Sequence, residues 1–343
     1  MSKESPELFV GIDLGTSRSS ISTSEGQRHM IESYVGWPVD MVARKILKTP
    51  VVVGRDALAN RSMLELHRPL ERGLLKEGSD KDQQAVRQLL LHLMQLAGID
   101  EERRNGHKIR AVVGVPAEAL RVNRQHLRDA MRGFVDNLII VSEPFAVAYG
   151  LEALLHAMVI DIGAGTTDFC AMRGRYPTEE DQRTLLNAGD WIDEQLMTHL
   201  REHHEGINVS IHTVRQWKEE SSFIGSARKP VKVTVPIDGK PTDLDITAEM
   251  KAACEALVPP VAETMIDLIA ATEPEYQDEL RQNIILAGGS SVIPGLAEAL
   301  QASLKEYGGG HVQTAGDPVF VGSDGGLALA KDAPASDWEK LPA

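Results

Sequence analysis

Two short stretches of this sequence combine an acid, glycines and hydroxyls in a pattern suited to phosphate chemistry. In VIDIGAGTTD, Val159 to Asp168, an apolar run carries Asp161, then Gly163 and Gly165, then Thr166 and Thr167, and closes on Asp168. In VGIDLGTSRSS, Val10 to Ser20, an apolar run carries Asp13, and Gly15, Thr16 and Ser17 follow. Glycine lets successive backbone N–H groups point into one concavity, because no Cβ blocks the approach. Such a nest, with Ser and Thr hydroxyls added, is a cradle for a phosphate. A carboxylate at the end of the adjoining strand suits Mg²⁺, which keeps several waters and takes one or two carboxylates with substrate phosphates. One hairpin of this kind also reads as a tight turn capped locally by its Asp. Two matched copies, with a third glycine loop at Gly288 and Gly289, favour two cradles that hold a polyphosphate from both sides of a cleft.

The elements needed to position these residues are legible as α/β layers. ELFVGIDLG and SSISTSEG form a hairpin closed at Leu14 to Ser17, and KTPVVVGRDALANR is a short strand with a helix start at Asp56. DQQAVRQLLLHLMQLAG has Val86, Leu89, Leu90, Leu93 and Leu96 at helical spacing and ends at Gly98. IRAVVGVPA is a buried strand, and EALRVNRQHLRDAMRGF is expected to be one amphipathic helix. NLIIVSEPFAVAYGLEALL is a strand, a turn and a helix with Pro144 near its first turn, where proline is tolerated. The hairpin pattern then starts again with AMVIDIGAGTTDFCAM. VKVTVPIDGKPTDLDIT is a polar hairpin, TAEMKAACEALVPPVAETMIDLI is helical, and NIILAGGSSVIPGLAEALQASLKEYG is strand, glycine turn and helix. No linker rich in Pro, Gly or Ser separates the halves, so a shared hinge is expected rather than a tether.

Bulk properties exclude several classes. A chain of 343 residues is long enough for two domains. A net charge of -14 argues against an electrostatic grip on nucleic acid or on an anionic membrane. Cys170 and Cys254 give neither a disulfide framework nor metal-ligand spacing, which fits a reducing cytoplasm. MSKESPELF has no apolar core of a leader and no amphipathic run of an anchor, and no stretch approaches the ~20 apolar residues of a bilayer span. A cytoplasmic location, no direct nucleic-acid partner and no membrane insertion are expected.

Five motifs in order resemble the actin and DnaK-type ATPase superfamily over nearly the whole chain. GIDLGTS is similar to its first phosphate motif and DIGAGTTD to the second. VSEPFAVAYG is similar to the first connecting motif, IILAGGSSVIPGL to the adenosine motif and GSDGGLALA to the second connecting motif. VGRDALANRSMLELHRPLERGLL resembles bacterial actins of the MreB-related kind, in particular the filament proteins that organise magnetosome chains.

The resemblance implies an α/β, actin-like ATPase fold, with two duplicated ribonuclease-H-like halves around a nucleotide cleft, each with a smaller subdomain. The first half is expected at 1–147, with a small subdomain at about 34–66 and the return segment 318–343. The second is expected at 148–317, with a small subdomain at about 187–245. The resemblance implies ATP or ADP with Mg²⁺ as ligands. Asp13 and Asp161 would hold the metal and its waters, Asp161 having a catalytic part as well, and Glu143 would orient the attacking water. An acid at Glu143 also suits the start of a helix near Pro144. Gly15, Thr16, Ser17, Gly163, Ala164, Gly165 and Thr166 would hold the β- and γ-phosphates. Lys218 and Glu219, in QWKEESSFIG, would embrace adenine and ribose, with Gly288, Gly289 and Ser290 against the nucleotide; outside that context KEE is an ordinary solvated helix face. Two departures stand out: Arg18 in the first motif, which reaches a phosphate or faces solvent, and Ala188 before Gly189, where the superfamily usually has two glycines.

The implied function is an ATP-hydrolysing, polymerising cytoskeletal filament, its partners being copies of itself and organelle-associated adaptors, with magnetosomes or similar organelles as cargo. An MreB-like cell-shape actin, a plasmid-segregating actin and a monomeric chaperone-like ATPase or nucleotide-binding scaffold are the alternatives. No large insertion suggests a kinase acceptor site, and the sequence to Ala343 carries no chaperone-type substrate domain. Asp13, Glu143 and Asp161 argue against a scaffold that has lost hydrolysis.

Overall fold

The computed structural model describes residues 5–76, 79–237 and 239–341. The residues 1–4, read above as neither leader nor anchor, and Asp238 in the polar hairpin lie outside the described residues. The chain divides into two compact units, Met1–Leu154 with Gly316–Ala343, and Leu155–Ala315.

The first unit is built on a six-stranded sheet in the order Glu339–Lys340, Asn137–Ser142, Lys108–Val115, Glu7–Leu14, Arg18–Thr23, Arg28–Glu32. Glu7–Leu14 pairs antiparallel with Arg18–Thr23 and parallel with Lys108–Val115. Val10, Ile12, Ile21, Ala111 and Val113 are fully or almost fully buried in one apolar cluster. The helix Asp80–Leu96 covers this cluster with Val86, Leu89, Leu90, Leu93 and Met94 at helical spacing. Each such burial contributes roughly 1.5–3 kcal/mol. Ser79 caps that helix, accepting a hydrogen bond from the Asp82 N–H. The residues between 34 and 67 form a small three-stranded sheet, Val52–Val53, Val35–Pro38, Leu64–His67, around Tyr34, Ala57 and Leu64.

Glycines let three elements of this unit meet at backbone distance. The helix Val321–Asp332 lies on Glu7–Leu14, where a Cβ at Gly11 would stand 2.0 Å from the Ser323 carbonyl oxygen. It also crosses the helix Glu143–Gly150, where a Cβ at Gly325 would stand 1.9 Å from the Ala146 carbonyl oxygen.

The second unit repeats the design. Its sheet runs Gln182–Leu185, Thr167–Arg173, Leu155–Ile162, Ile284–Ala287, Val312–Thr314. In both units the opening strand turns back into an antiparallel partner, a third antiparallel strand follows outside it, and two later strands add in parallel on the other edge. The helices Gly189–His203, Ile211–Ser221, Thr247–Glu255 and Val258–Ala270 share one apolar cluster with this sheet.

The helix expected over EALRVNRQHLRDAMRGF is two, Ala117–Val122 and Arg124–Met131. Between them the buried Asn123 accepts a hydrogen bond from the Leu75 N–H, a bond of 3.0 Å that uses its side chain to serve another segment. TAEMKAACEALVPPVAETMIDLI likewise divides, the second helix opening just ahead of Pro259 and Pro260, which fit only a first turn.

Candidate functional site

Each unit carries one carboxylate-and-turn assembly at the same place in its sheet. In the first, Asp13 is the penultimate residue of its strand, in register with Ser20 on one side and Gly114 on the other. The turn at Gly15, Thr16 and Ser17 is tight, since a Cβ at Gly15 would stand 2.6 Å from the Arg18 carbonyl oxygen. Its carbonyls are taken up by the protein: Ser33 Oγ donates to Gly15 O at 2.8 Å, Ser33 N to Ser17 O at 2.8 Å and Arg68 Nε to Thr16 O at 3.3 Å. Among the described residues, none of the amides of Gly15, Thr16 and Ser17 donates to a protein acceptor. Arg18 lies exposed at the start of the return strand.

In the second unit Asp161 is again penultimate, in register with Asp168 and Ala287. The Gly163 N–H closes the turn onto the Thr166 carbonyl at 2.9 Å. Gly163 O accepts from Gly189 N at 3.0 Å and Ser290 Oγ at 3.1 Å, and Ala164 O accepts from Asp190 N at 2.7 Å. Among the described residues, the amides of Ala164, Gly165 and Thr166 donate to no protein acceptor. Both turns thus have carbonyls held by the fold and amides open to an anion, and an amide left without an acceptor carries a free-energy cost that a bound phosphate relieves.

Glycines also clear the face of each carboxylate. A Cβ at Gly322 would come within 2.6 Å of Asp13 Oδ2, and one at Gly288, whose φ is +78°, within 2.3 Å of Asp161 Oδ1. Gly289 is exposed, with no atom within 4 Å of where its Cβ would stand, and the buried Ser290 N–H bonds Ile162 O at 2.9 Å.

Glu143 opens the helix Glu143–Gly150 directly after the strand Asn137–Ser142, with no intervening turn. It is buried, and its carboxyl is hydrogen-bonded to that of Asp13. Burial pushes the Asp13 carboxyl up to about 7, against the lowering effect of that hydrogen bond. Two carboxylates in contact repel one another, and a cation between or beside them offsets that repulsion.

Lys218 and Glu219 sit on the helix Ile211–Ser221 in different surroundings. Glu219 is exposed. Lys218 is buried, its Nζ donating to Gly189 O at 2.6 Å and paired with Asp193 at 2.7 Å. Arg215 Nε donates to Asp193 Oδ2 at 3.1 Å and its Nη2 to Asp190 Oδ1 at 2.8 Å. Burial lifts the Asp193 carboxyl despite the two cations beside it. Ala188 is extended at φ −149°, a conformation open to any residue, so the missing second glycine costs the backbone nothing. At Gly189 space is short: a Cβ would meet Ser290 Oγ at 2.9 Å.

Ser33, Arg68, Gly322, Asp190, Asp193 and Arg215 belong to these assemblies and were not singled out from sequence. Gly322 lay within GSDGGLALA, and Asp193 within the acidic GDWIDE. Ser33 and Arg215 had no local signal. Asp168, the second acid of the opening motif, is buried and accepts from Thr184 Oγ1 at 2.6 Å, joining two strands.

The donor set fits Mg²⁺. It consists of hard carboxylate and hydroxyl oxygens, with the space above each aspartate kept clear by a glycine. Among the described residues no three His, Cys, Asp or Glu side chains form a closed metal cage, and Mg²⁺ bound through waters and phosphate requires none. A separate cavity of about 430 Å³, with Leu155, His156, Arg173 and Tyr276 in its wall, opens at the other end of the Leu155–Ile162 strand from Asp161.

The comparisons with known proteins agree with one another. MreB/Mbl protein is the family that matches, over residues 7–335. The chain is 40% identical to the actin-like protein MamK of Paramagnetospirillum magneticum over 334 residues, 97% of this chain and 95% of that one. It is 40% identical to the actin-like protein MamK of Magnetospirillum gryphiswaldense over 97% of this chain and 92% of that one. Among solved structures it resembles a MamK double helical filament at 39% identity and a TM-score of 0.92, covering 96% of this chain and 100% of that one. It also resembles a non-polymerising MamK mutant bound to AMPPNP, at 39% identity and a TM-score of 0.73, with the same coverage of both chains. The fold is actin-like, and this chain belongs to the MreB/Mbl family of actin-like proteins.

Proposed function

We propose that this protein is an ATP-hydrolysing, filament-forming bacterial actin. The observation that carries the reading is the repeated turn: in each unit the carbonyls are held by the fold, the amides are open, and a carboxylate stands at the strand end. Filament formation is supported by the likeness to MamK, which assembles as a double helical filament. By the same likeness, and by the sequence resemblance to actins that organise magnetosome chains, the cargo proposed is a magnetosome or similar organelle reached through adaptor proteins.

In this reading the amides and hydroxyls of Gly15, Thr16 and Ser17 and of Gly163, Ala164, Gly165 and Thr166 bind the phosphates of ATP. Asp13 and Asp161 hold Mg²⁺, which when bound offsets charge developing on the phosphate oxygens. Glu143 accepts a hydrogen bond from the attacking water and sets its line of approach. Glu219, with Gly288, Gly289 and Ser290, lies along the nucleoside. Asp161→Ala should abolish Mg²⁺-dependent phosphate release while the variant keeps the wild-type circular dichroism spectrum. Wild-type turnover in that variant would remove Asp161 from the chemistry.

A further inference from the structure

Lys218 belongs to a network that ends on the phosphate turn of the second unit. Its ammonium donates to the Gly189 carbonyl at 2.6 Å, and the Gly189 N–H donates to Gly163 O at 3.0 Å. Lys218 also pairs with the fully buried Asp193 at 2.7 Å. Arg215, one helical turn away, joins Asp193 at 3.1 Å to Asp190 at 2.8 Å, and the Asp190 N–H donates to Ala164 O at 2.7 Å. Two chains of contacts therefore run from the helix Ile211–Ser221 through the first turn of Gly189–His203 to the carbonyls of Gly163 and Ala164. Fixing those carbonyls fixes the peptide planes, and with them the direction of the following amides.

We infer that Lys218, Arg215, Asp193 and Asp190 form a positioning network that presets the phosphate turn, with Lys218 acting through Gly189 rather than on the adenine or ribose. The inference rests on the nucleotide reading above and reassigns one residue within it. A buried ammonium already sharing its protons between a carboxylate and a carbonyl has little to gain from a base or sugar, and leaving either partner unpaired in the interior is costly. Anion binding by peptide amides is steeply sensitive to their aim, so loosening the turn should weaken every ligand that carries the phosphates, with or without a nucleoside.

The test compares ATP with inorganic tripolyphosphate, which has the phosphates and no nucleoside, by calorimetry and by competition in the presence of Mg²⁺. Lys218→Met should weaken ATP and tripolyphosphate by the same factor, on the order of tenfold to a hundredfold, and leave the preference for ATP over GTP unchanged. Lys218→Arg, which keeps a donor able to reach Asp193, should restore most of the loss. The double variant Lys218→Met with Asp193→Leu leaves no unpaired ion of this pair inside the protein, so it should melt near the wild-type temperature and still bind both ligands weakly. A Lys218→Met protein that loses ATP affinity, keeps tripolyphosphate affinity and changes its base preference would overturn the network and return Lys218 to the nucleoside. A folded double variant with wild-type affinity for both would overturn it as well. Wild-type protein that binds neither ligand would overturn the nucleotide reading itself, together with everything built on it.

Discussion

At the scale of single residues, the contact between Asp13 and Glu143 sets what each can do. Burial favours the protonated form of Asp13 there, whereas a bound cation would favour its charged form. Glu143 is on a helix start and outside both phosphate turns, so its removal should spare nucleotide binding. Glu143→Ala should bind ATP with near wild-type affinity and release phosphate roughly 10²-fold more slowly, the scale typical of a positioned proton acceptor. Equal phosphate release in variant and wild type would reduce Glu143 to a helix-capping residue. Asp13, Asp161 and the glycines were legible in the sequence because strand-end acids and adjacent small residues leave a local pattern. The pairing of Lys218 with Asp193 was not, because the partners lie on two helices and a KEE triplet carries no mark of burial.

At the scale of elements, the hairpins, the main parallel strands and most helices follow directly from periodicity and glycine punctuation. The division of the helix expected over EALRVNRQHLRDAMRGF shows what periodicity misses. Nothing in the apolar spacing of EALRVNRQHLRDAMRGF reports that Asn123 serves Leu75 from a distant segment. The glycines of GSDGGLALA have a packing reason that only the fold discloses: Val321–Asp332 lies against its neighbours at backbone distance. Gly325→Ala would press a methyl group into the Ala146 carbonyl, which is main chain within a helix and cannot swing aside. It should lower unfolding stability by at least about 2 kcal/mol, as overpacking of this kind does. Gly289→Ala, placed in open space, should leave the denaturation midpoint where it is. Urea unfolding of the two variants side by side checks the contrast, and equal midpoints would mean that the crossing has slack.

At the scale of the whole molecule, duplication is the organising fact. The same order of five strands occurs in both units, the first adding Glu339–Lys340 at one edge, and the acid and turn occur at the same register point in each, so the sequence repeat reports a structural one. The net charge of -14 argues against an electrostatic grip on nucleic acid, and among the described residues no helix is long and apolar enough to cross a membrane. Assembly left no motif of its own, since a polymer contact is a surface and not a spacing. The proposal of assembly rests instead on the likeness to a MamK double helical filament. In the proposed function, ATP binding drives filament formation and hydrolysis releases it. Sedimentation of the purified protein with Mg²⁺ and ATP, ADP or no nucleotide, with negative-stain images of each pellet, tests it most directly. Filaments should pellet with ATP and be sparse with ADP or without nucleotide, and the Glu143→Ala protein should pellet with ATP and stay pelleted. Protein that remains in the supernatant at high concentration with ATP and Mg²⁺, or that pellets equally in all three conditions, would contradict the account.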